Sequence, residues 1–125
     1  MAKPREALSP AEWRLMKTVW RLGKATIREI HSEVEGDTDW AYSTVKTQLE
    51  RMENKGLLRM EKVGPVKQYS AIARKKDLVP RAVERFLDTV LDGSMAPLVR
   101  YIAKARSLEP EEIEALEKLI EEEEA

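Results

Sequence analysis

Residues 41–56, AYSTVKTQLERMENKG, read as a helix whose outer face is made for contact. At about 100° per residue, Ala41, Val45, Leu49 and Met52 fall on one narrow apolar stripe. Ser43, Lys46, Thr47, Glu50 and Asn54 take the opposite face, with Thr44 and Arg51 on its flanks. The donors crowd the first two turns, and Gly56 follows as the residue just past the helix end. A short helix with hydroxyls and a lysine at its exposed N-terminal face suits the major groove of DNA, where such groups serve phosphates and base edges. Alone, the segment reads equally as a solvated amphipathic helix. Its neighbours decide.

Upstream lies LSPAEWRLMKTVWRLGK, residues 8–24. Ser9 is a helix cap, Pro10 suits the first helical position, and Glu12 completes a capping box. Leu8 and Trp13 fit a hydrophobic staple across that cap, Met16, Val19, Trp20 and Leu22 continue a buried face, and Gly23 ends the helix. The device repeats in TIREIHSEVEG: Thr26 caps, Glu29 sits three residues on, and Ile27, Ile30 and Val34 face inward. Helix, short helix, loop, exposed helix is the order of a helix-turn-helix. After Gly56, LLRMEKVGPVKQYSAI alternates loosely around Gly64-Pro65 and reads as a β-hairpin. The expected fold is therefore mainly α with a small β-hairpin, a winged helix-turn-helix. Lys62 and Lys67 flank the hairpin tip, where a wing would pass along the phosphate backbone.

Charge divides the chain more sharply than its net of −1. Residues 1–76 hold 16 Lys and Arg against 10 Asp and Glu, whereas residues 77–125 hold 6 against 13. A half at +6 joined to a half at −7 points to a nucleic-acid-facing domain with an appended region. The acidic run Glu121–Glu124 feeds the second figure but cannot make the first half basic.

Residues 1–76 suffice for a winged-helix DNA-binding domain, and residues 77–125 read as a three-helix dimerisation region. RKKDLVPRAVERFLDTVLDG gives a helix with Phe86, Leu87 and Val90 among its apolar positions and Pro80 placed in the first turn. SMAPLVRYIAKAR offers Ser94 as a cap and Leu98, Val99 and Ile102 as an inner face. PEEIEALEKLIEEEE lines up Ile113, Leu116, Leu119 and Ile120. Short amphipathic helices without a second layer bury their stripes most simply against another copy, which predicts a homodimer.

With no cysteine, disulfides, thiolate metal sites and cysteine nucleophiles are excluded. His31 is the only histidine, so a His-based zinc site or a Ser-His-Asp triad cannot form within one chain; it reads as a boundary residue of the second helix. No Gly-rich phosphate loop occurs, and no apolar run approaches bilayer length. The expectation is a cytoplasmic DNA-binding protein without enzymatic activity, cofactor, metal or membrane insertion.

The residues carry a resemblance. Trp13-x-x-Met16-x-x-Val19-Trp20, then Ser43-Thr44-Val45-Lys46-Thr47, then RMENKGLL at 51–58, then Asp92-Gly93-Ser94 resemble the BlaI/MecI/CopY group of bacterial repressors, over Leu8 to Leu119. That resemblance implies a dimeric winged-helix repressor on a palindromic double-stranded DNA operator. It implies groove and phosphate contacts from Ser43, Thr44, Lys46 and Thr47. It also implies a membrane-bound sensor protease as partner, relieving repression by a cut within the dimerisation helices. The family's scissile Asn-Phe pair aligns with Arg100-Tyr101, a departure that implies a protease of different preference or another release signal. A second departure is Pro65, where members of the group often carry a basic residue after the wing glycine; either Lys67 takes over that phosphate contact or the wing binds more weakly. The cysteine cluster of copper-responsive members is missing. The alternative is a winged-helix protein–protein adaptor without sequence-specific DNA binding. It would need neither Lys46 nor a basic first half, and its binding would survive high salt.

Overall fold

A computed structural model of the chain describes residues 7–105 and 109–124, the side chains of 105 and 119–124 excepted. The elements are α1 (Pro10–Leu22), β1 (Lys24–Thr26), α2 (Ile27–Thr38), α3 (Tyr42–Asn54), β2 (Leu58–Val63), β3 (Val66–Ala71), α4 (Lys75–Val90), α5 (Ala96–Ala105) and α6 (Pro110–Glu124). Two compact units divide the chain, Met1–Ala82 and Val83–Ala125, so the division falls inside α4. Among the described residues no helix is long and apolar enough to cross a membrane.

In the first unit both expected capping boxes form. The Ser9 hydroxyl accepts from the Glu12 N–H at 3.1 Å while the Glu12 carboxylate accepts from the Ser9 N–H at 2.8 Å. Thr26 and Glu29 repeat the exchange at 3.1 and 2.9 Å. Each box answers two N–H groups that a helix start leaves without partners, which fixes where α1 and α2 begin. α3 ends as a Schellman motif: Gly56 takes φ 82°, its N–H reaches the Glu53 carbonyl, and the Leu57 N–H reaches the Met52 carbonyl. The buried Leu57 then carries the chain directly into β2.

The hairpin forms with Val63 opposite Val66 and Gly64-Pro65 as its two-residue turn. Gly64 takes φ 63°, the left-handed value a two-residue hairpin turn needs at its first position. The sheet holds a third strand that the sequence reading left out. β1 pairs antiparallel with β3, giving the order β1-β3-β2 with Ala25 opposite Tyr69. A strand of three residues, Lys24–Thr26, is too short to show alternation, which hid it.

The core gathers Leu15, Met16 and Val19 of α1, Ile27, Ile30 and Val34 of α2, and Val45, Leu49 and Met52 of α3. Ala25, Leu57, Leu58, Tyr69 and Leu78 complete it. Burial of each Leu, Ile, Val or Met is worth about 1.5–3 kcal/mol, so the inner stripe of α3 alone holds that helix firmly against α1 and α2. Trp20 is half-buried and its indole N–H donates to the Ala73 carbonyl at 2.9 Å, tying α1 to the chain leaving the wing. Glu12 is buried, and its second oxygen accepts from the Lys55 ammonium at 2.7 Å, joining the start of α1 to the end of α3. Burial pushes the Glu12 carboxyl up, but the Lys55 and Ser9 hydrogen bonds outweigh it and hold the group below its ordinary value.

Four local expectations are corrected. Ala41 precedes α3 as its cap residue and is exposed, so the inner stripe is Val45, Leu49 and Met52 alone. Leu22, at the last position of α1, is exposed rather than part of the buried face. α4 starts at Lys75, where the Asp77 and Leu78 N–H groups bond the Arg74 carbonyl, so Pro80 sits in the second turn and deprives the helix of an internal bond. α5 begins one residue later than the Ser94 cap implied. Met95 supplies the carbonyl for Val99, and the Ser94 hydroxyl accepts from the Ala96 N–H at 3.4 Å.

The second unit, taken by itself, holds the last turns of α4 with α5 and α6. Val83, Phe86 and Val90 lie exposed along one side of α4, and Leu87 is half-buried. Leu98, Val99, Ile102 and Leu116 are half-buried, Ile113 is exposed, and the side chains of Leu119 and Ile120 lie outside the described residues.

Candidate nucleic-acid interface

Burial of Val45, Leu49 and Met52 turns the rest of α3 outward. Ser43, Thr44, Lys46, Thr47 and Arg51 are all exposed. Lys46 and the wing tip line one groove of about 550 Å³. The groove walls are Thr26, Ile27 and Arg28 at the start of α2, Tyr42 and Lys46 on α3, and Pro65, Val66 and Lys67 at the tip. Three elements thus bring three cations, Arg28, Lys46 and Lys67, around one concave surface. Ser43, Thr44, Thr47 and Arg51 lie on α3 outside that groove. Lys62 stands directly opposite Lys67 in the hairpin register. Two like charges face to face on adjacent strands repel, an arrangement that an anion between them would relieve.

Arg28 and Tyr42 were not among the residues singled out from sequence. Each had a signal. Arg28 follows the Thr26 cap by two and must point away from the core once Ile27 and Ile30 point inward. Tyr42 lies four residues before Lys46, one helical turn along the same side of α3.

Among the described residues, five cations of this unit are held in ion pairs. Arg14 pairs with Asp37, Arg21 with Glu33, Lys24 with Glu61, Lys55 with Glu12 and Arg74 with Asp77, at 2.7–3.4 Å. The hydrogen bond and charge of Lys24 hold the Glu61 carboxyl below its ordinary value. Among the described residues none of Arg28, Lys46, Arg51, Lys62 and Lys67 has an ion-pair partner. All five belong to the groove, the outer face of α3 or the hairpin tip, whereas Lys17, Arg59, Lys75, Lys76 and Arg81, exposed and likewise without ion pairs among the described residues, lie on α1, β2 and α4. The charge of the first five is available to an external anion.

α3 also differs from α1 and α2 at its start, since Ala41 supplies no side-chain acceptor. The Tyr69 hydroxyl is fully buried without a hydrogen-bond partner among the described residues. Burial first, then the negative potential of Glu53 and Glu50, pushes its phenol up to about 12. It is a neutral phenol at any physiological pH.

Comparison with known proteins agrees with this geometry. A family described as penicillinase repressor matches residues 8–122 of the chain. A penicillinase repressor of Staphylococcus aureus is 27% identical over 120 residues, covering 96% of this chain and 95% of the relative. The methicillin resistance regulatory protein MecI of Staphylococcus aureus is 26% identical over 113 residues, covering 90% of this chain and 92% of that one. Among solved structures, the monomeric form of Bacillus licheniformis BlaI in complex with the blaP half-operator is similar at 29% identity and a TM-score of 0.53. It covers 63% of this chain and 95% of its own.

Proposed function

The chain belongs to the penicillinase repressor family, and we propose that it is a DNA-binding transcriptional repressor that reads an operator with α3 and grips the backbone with the wing. The observation that carries this reading is the convergence of cations without ion pairs among the described residues, Arg28, Lys46 and Lys67 around one groove with Lys62 opposite Lys67 at the hairpin tip. A similar BlaI was solved with a half-operator, which supports the same reading. In it, α3 enters the major groove, with Ser43, Thr44, Lys46, Thr47 and Arg51 meeting base edges and phosphates. The sugar-phosphate strand beside that groove runs between α3 and the wing, where Arg28, Lys46, Lys62 and Lys67 neutralise it. The test is titration of duplexes selected from a random pool, at several salt concentrations. A preferred palindrome whose affinity falls steeply with salt is the expected result. Salt-independent binding to a protein, with no DNA selected, would establish the adaptor instead.

The working form is a homodimer, with residues 1–76 as the DNA-binding domain and residues 77–125 as the dimerisation region. Exposed Val83, Phe86 and Val90 on α4, with Ile113 on α6, support this, because apolar stripes at helical spacing need a cover. Two recognition helices then meet one face of DNA about 34–36 Å apart or a multiple of that. Repression ends when the dimer is split within α5. Arg100 and Tyr101 are exposed there and aligned with the family's point of cleavage by a membrane-bound sensor protease. A chain ending at Arg100 is expected to sediment as a monomer and to lose operator affinity by orders of magnitude with α3 intact. A tight dimer of that chain refutes the switch.

A further inference from the structure

Trp40 and Tyr42 bracket the start of α3, and both are held by one side chain of α2. The His31 ring nitrogen Nε2 lies 2.8 Å from the Trp40 carbonyl oxygen, which can only accept, so Nε2–H donates. The same ring packs edge-to-face on Tyr42, with centroids 5.9 Å apart and planes at 86°. The other backbone group of Trp40 is tied to α2 as well. Its N–H donates at 3.2 Å to the Thr38 hydroxyl, which itself donates to the Val34 carbonyl at 2.7 Å. Trp40 is half-buried and packed against the core. The turn before the recognition helix is therefore fixed by α2 side chains, with Asp39 turning the chain at φ 57°.

This matters because α3 lacks the device that fixes α1 and α2. Neither Ala41 nor any other side chain caps it, so its first N–H groups are left open and its starting position is not set by a capping box. Tyr42, the first residue of α3, lines the groove beside Lys46 and opposite Lys67. A shift of the His31 ring would move Tyr42, and with it the reach of the first turn into DNA.

We propose that His31 is a positioning residue for operator recognition. It locks the α2–α3 turn through the Trp40 carbonyl and sets Tyr42 in the groove, doing at this helix what a side-chain cap does at the other two while leaving the leading N–H groups open. The inference rests on the DNA-binding reading above. It adds a residue that touches no DNA and yet governs selectivity.

The experiment uses the full chain and two duplexes, the palindrome selected by wild-type protein and an unrelated sequence of equal length, at one salt concentration. His31→Ala removes donor and ring, His31→Phe keeps the ring, and His31→Gln keeps a donor near the Nε2 position. His31→Ala is expected to lower the ratio of selected to unrelated affinity by about tenfold, as for loss of one well-set base contact. Affinity for the unrelated duplex is expected to hold within about twofold, since the phosphate contacts stay. His31→Gln should recover most of the ratio and His31→Phe little of it. Thermal unfolding of each variant separates positioning from folding, because a purely structural role lowers the melting temperature and both affinities together. An unchanged ratio in His31→Ala, or a ratio that tracks melting temperature across the three variants, overturns the proposal. A wild-type chain that selects no sequence overturns the DNA-recognition reading itself, and this inference with it.

Discussion

Lys24 and Lys67 lie on neighbouring strands of one sheet, yet their substitution should give opposite results. Lys24 spends its charge on Glu61, 2.9 Å away, while Lys67 lines the groove without an ion-pair partner among the described residues. Each phosphate neutralised by a protein cation contributes about 0.9 to the slope of log affinity against log salt. Lys67→Ala removes one such contact per protomer, so the slope should flatten by about 0.9 on a half-site and about 1.8 on a full palindrome. Between 50 and 200 mM salt, that is a loss of salt sensitivity by a factor of about 3.5 per contact and about 12 for two. Lys24→Ala breaks an exposed pair worth at most about 1 kcal/mol and removes no charge that DNA could use, so its slope should stay within about 0.3 of wild type. Fluorescence anisotropy with a labelled duplex at four salt concentrations measures both. Equal flattening by the two substitutions would show that ion pairing within the protein does not decide which lysines meet DNA, and would refute the reasoning.

Lys46→Ala should weaken the selected sequence by about 1–3 kcal/mol and unrelated duplexes far less, read as a change in affinity ratio by the same assay. Glu12→Gln should destabilise the first unit by about 1–3 kcal/mol at neutral pH, measured by urea unfolding, because a nearly buried carboxylate loses its charged bond to Lys55. The Glu12 carboxyl is held below its ordinary 4.5 in the folded chain, so its contribution is present above that pH and lost as pH falls through the folded value. Glu12→Gln should accordingly narrow the stability gap to wild type in acid; a gap independent of pH counts against the assignment. Tyr69→Phe should leave stability unchanged or raise it by about 1 kcal/mol, since the removed hydroxyl is buried and unpartnered. A loss above about 1 kcal/mol would reveal a partner for that hydroxyl.

The helical half of the first unit was legible because its signals are local. Ser9 with Glu12, and Thr26 with Glu29, announce helix starts within four residues. The 3.6-residue period of Val45, Leu49 and Met52 needs no knowledge of what covers it. β1 was not legible, because a strand of three residues exists only through its pairing with β3, more than forty residues away. Pro80 misled for a related reason: proline forbids little in a first turn, and the start of α4 is set by the Arg74 carbonyl rather than by a recognisable cap. Of the interface, the α3 residues and both wing lysines could be named from patterning and charge. Arg28 and Tyr42 were not named, although each has a local signal, because a groove is a tertiary object and each residue, on its own element, is an ordinary exposed side chain.

A chain with a net charge of −1 can still bind a polyanion strongly if its charges are sorted rather than merely counted. Asp37, Glu33, Glu61, Glu12 and Asp77 of the first unit each hold a cation in an ion pair. Four of those pairs join partners exposed by about two-fifths or more and contribute little to stability. Their consequence is electrostatic: they cancel part of the positive charge away from the groove, while Arg28, Lys46, Lys62 and Lys67 keep theirs. Binding should then respond to single substitutions among Arg28, Lys46, Lys62 and Lys67, which converge on the groove and the wing tip, far more than to the overall charge.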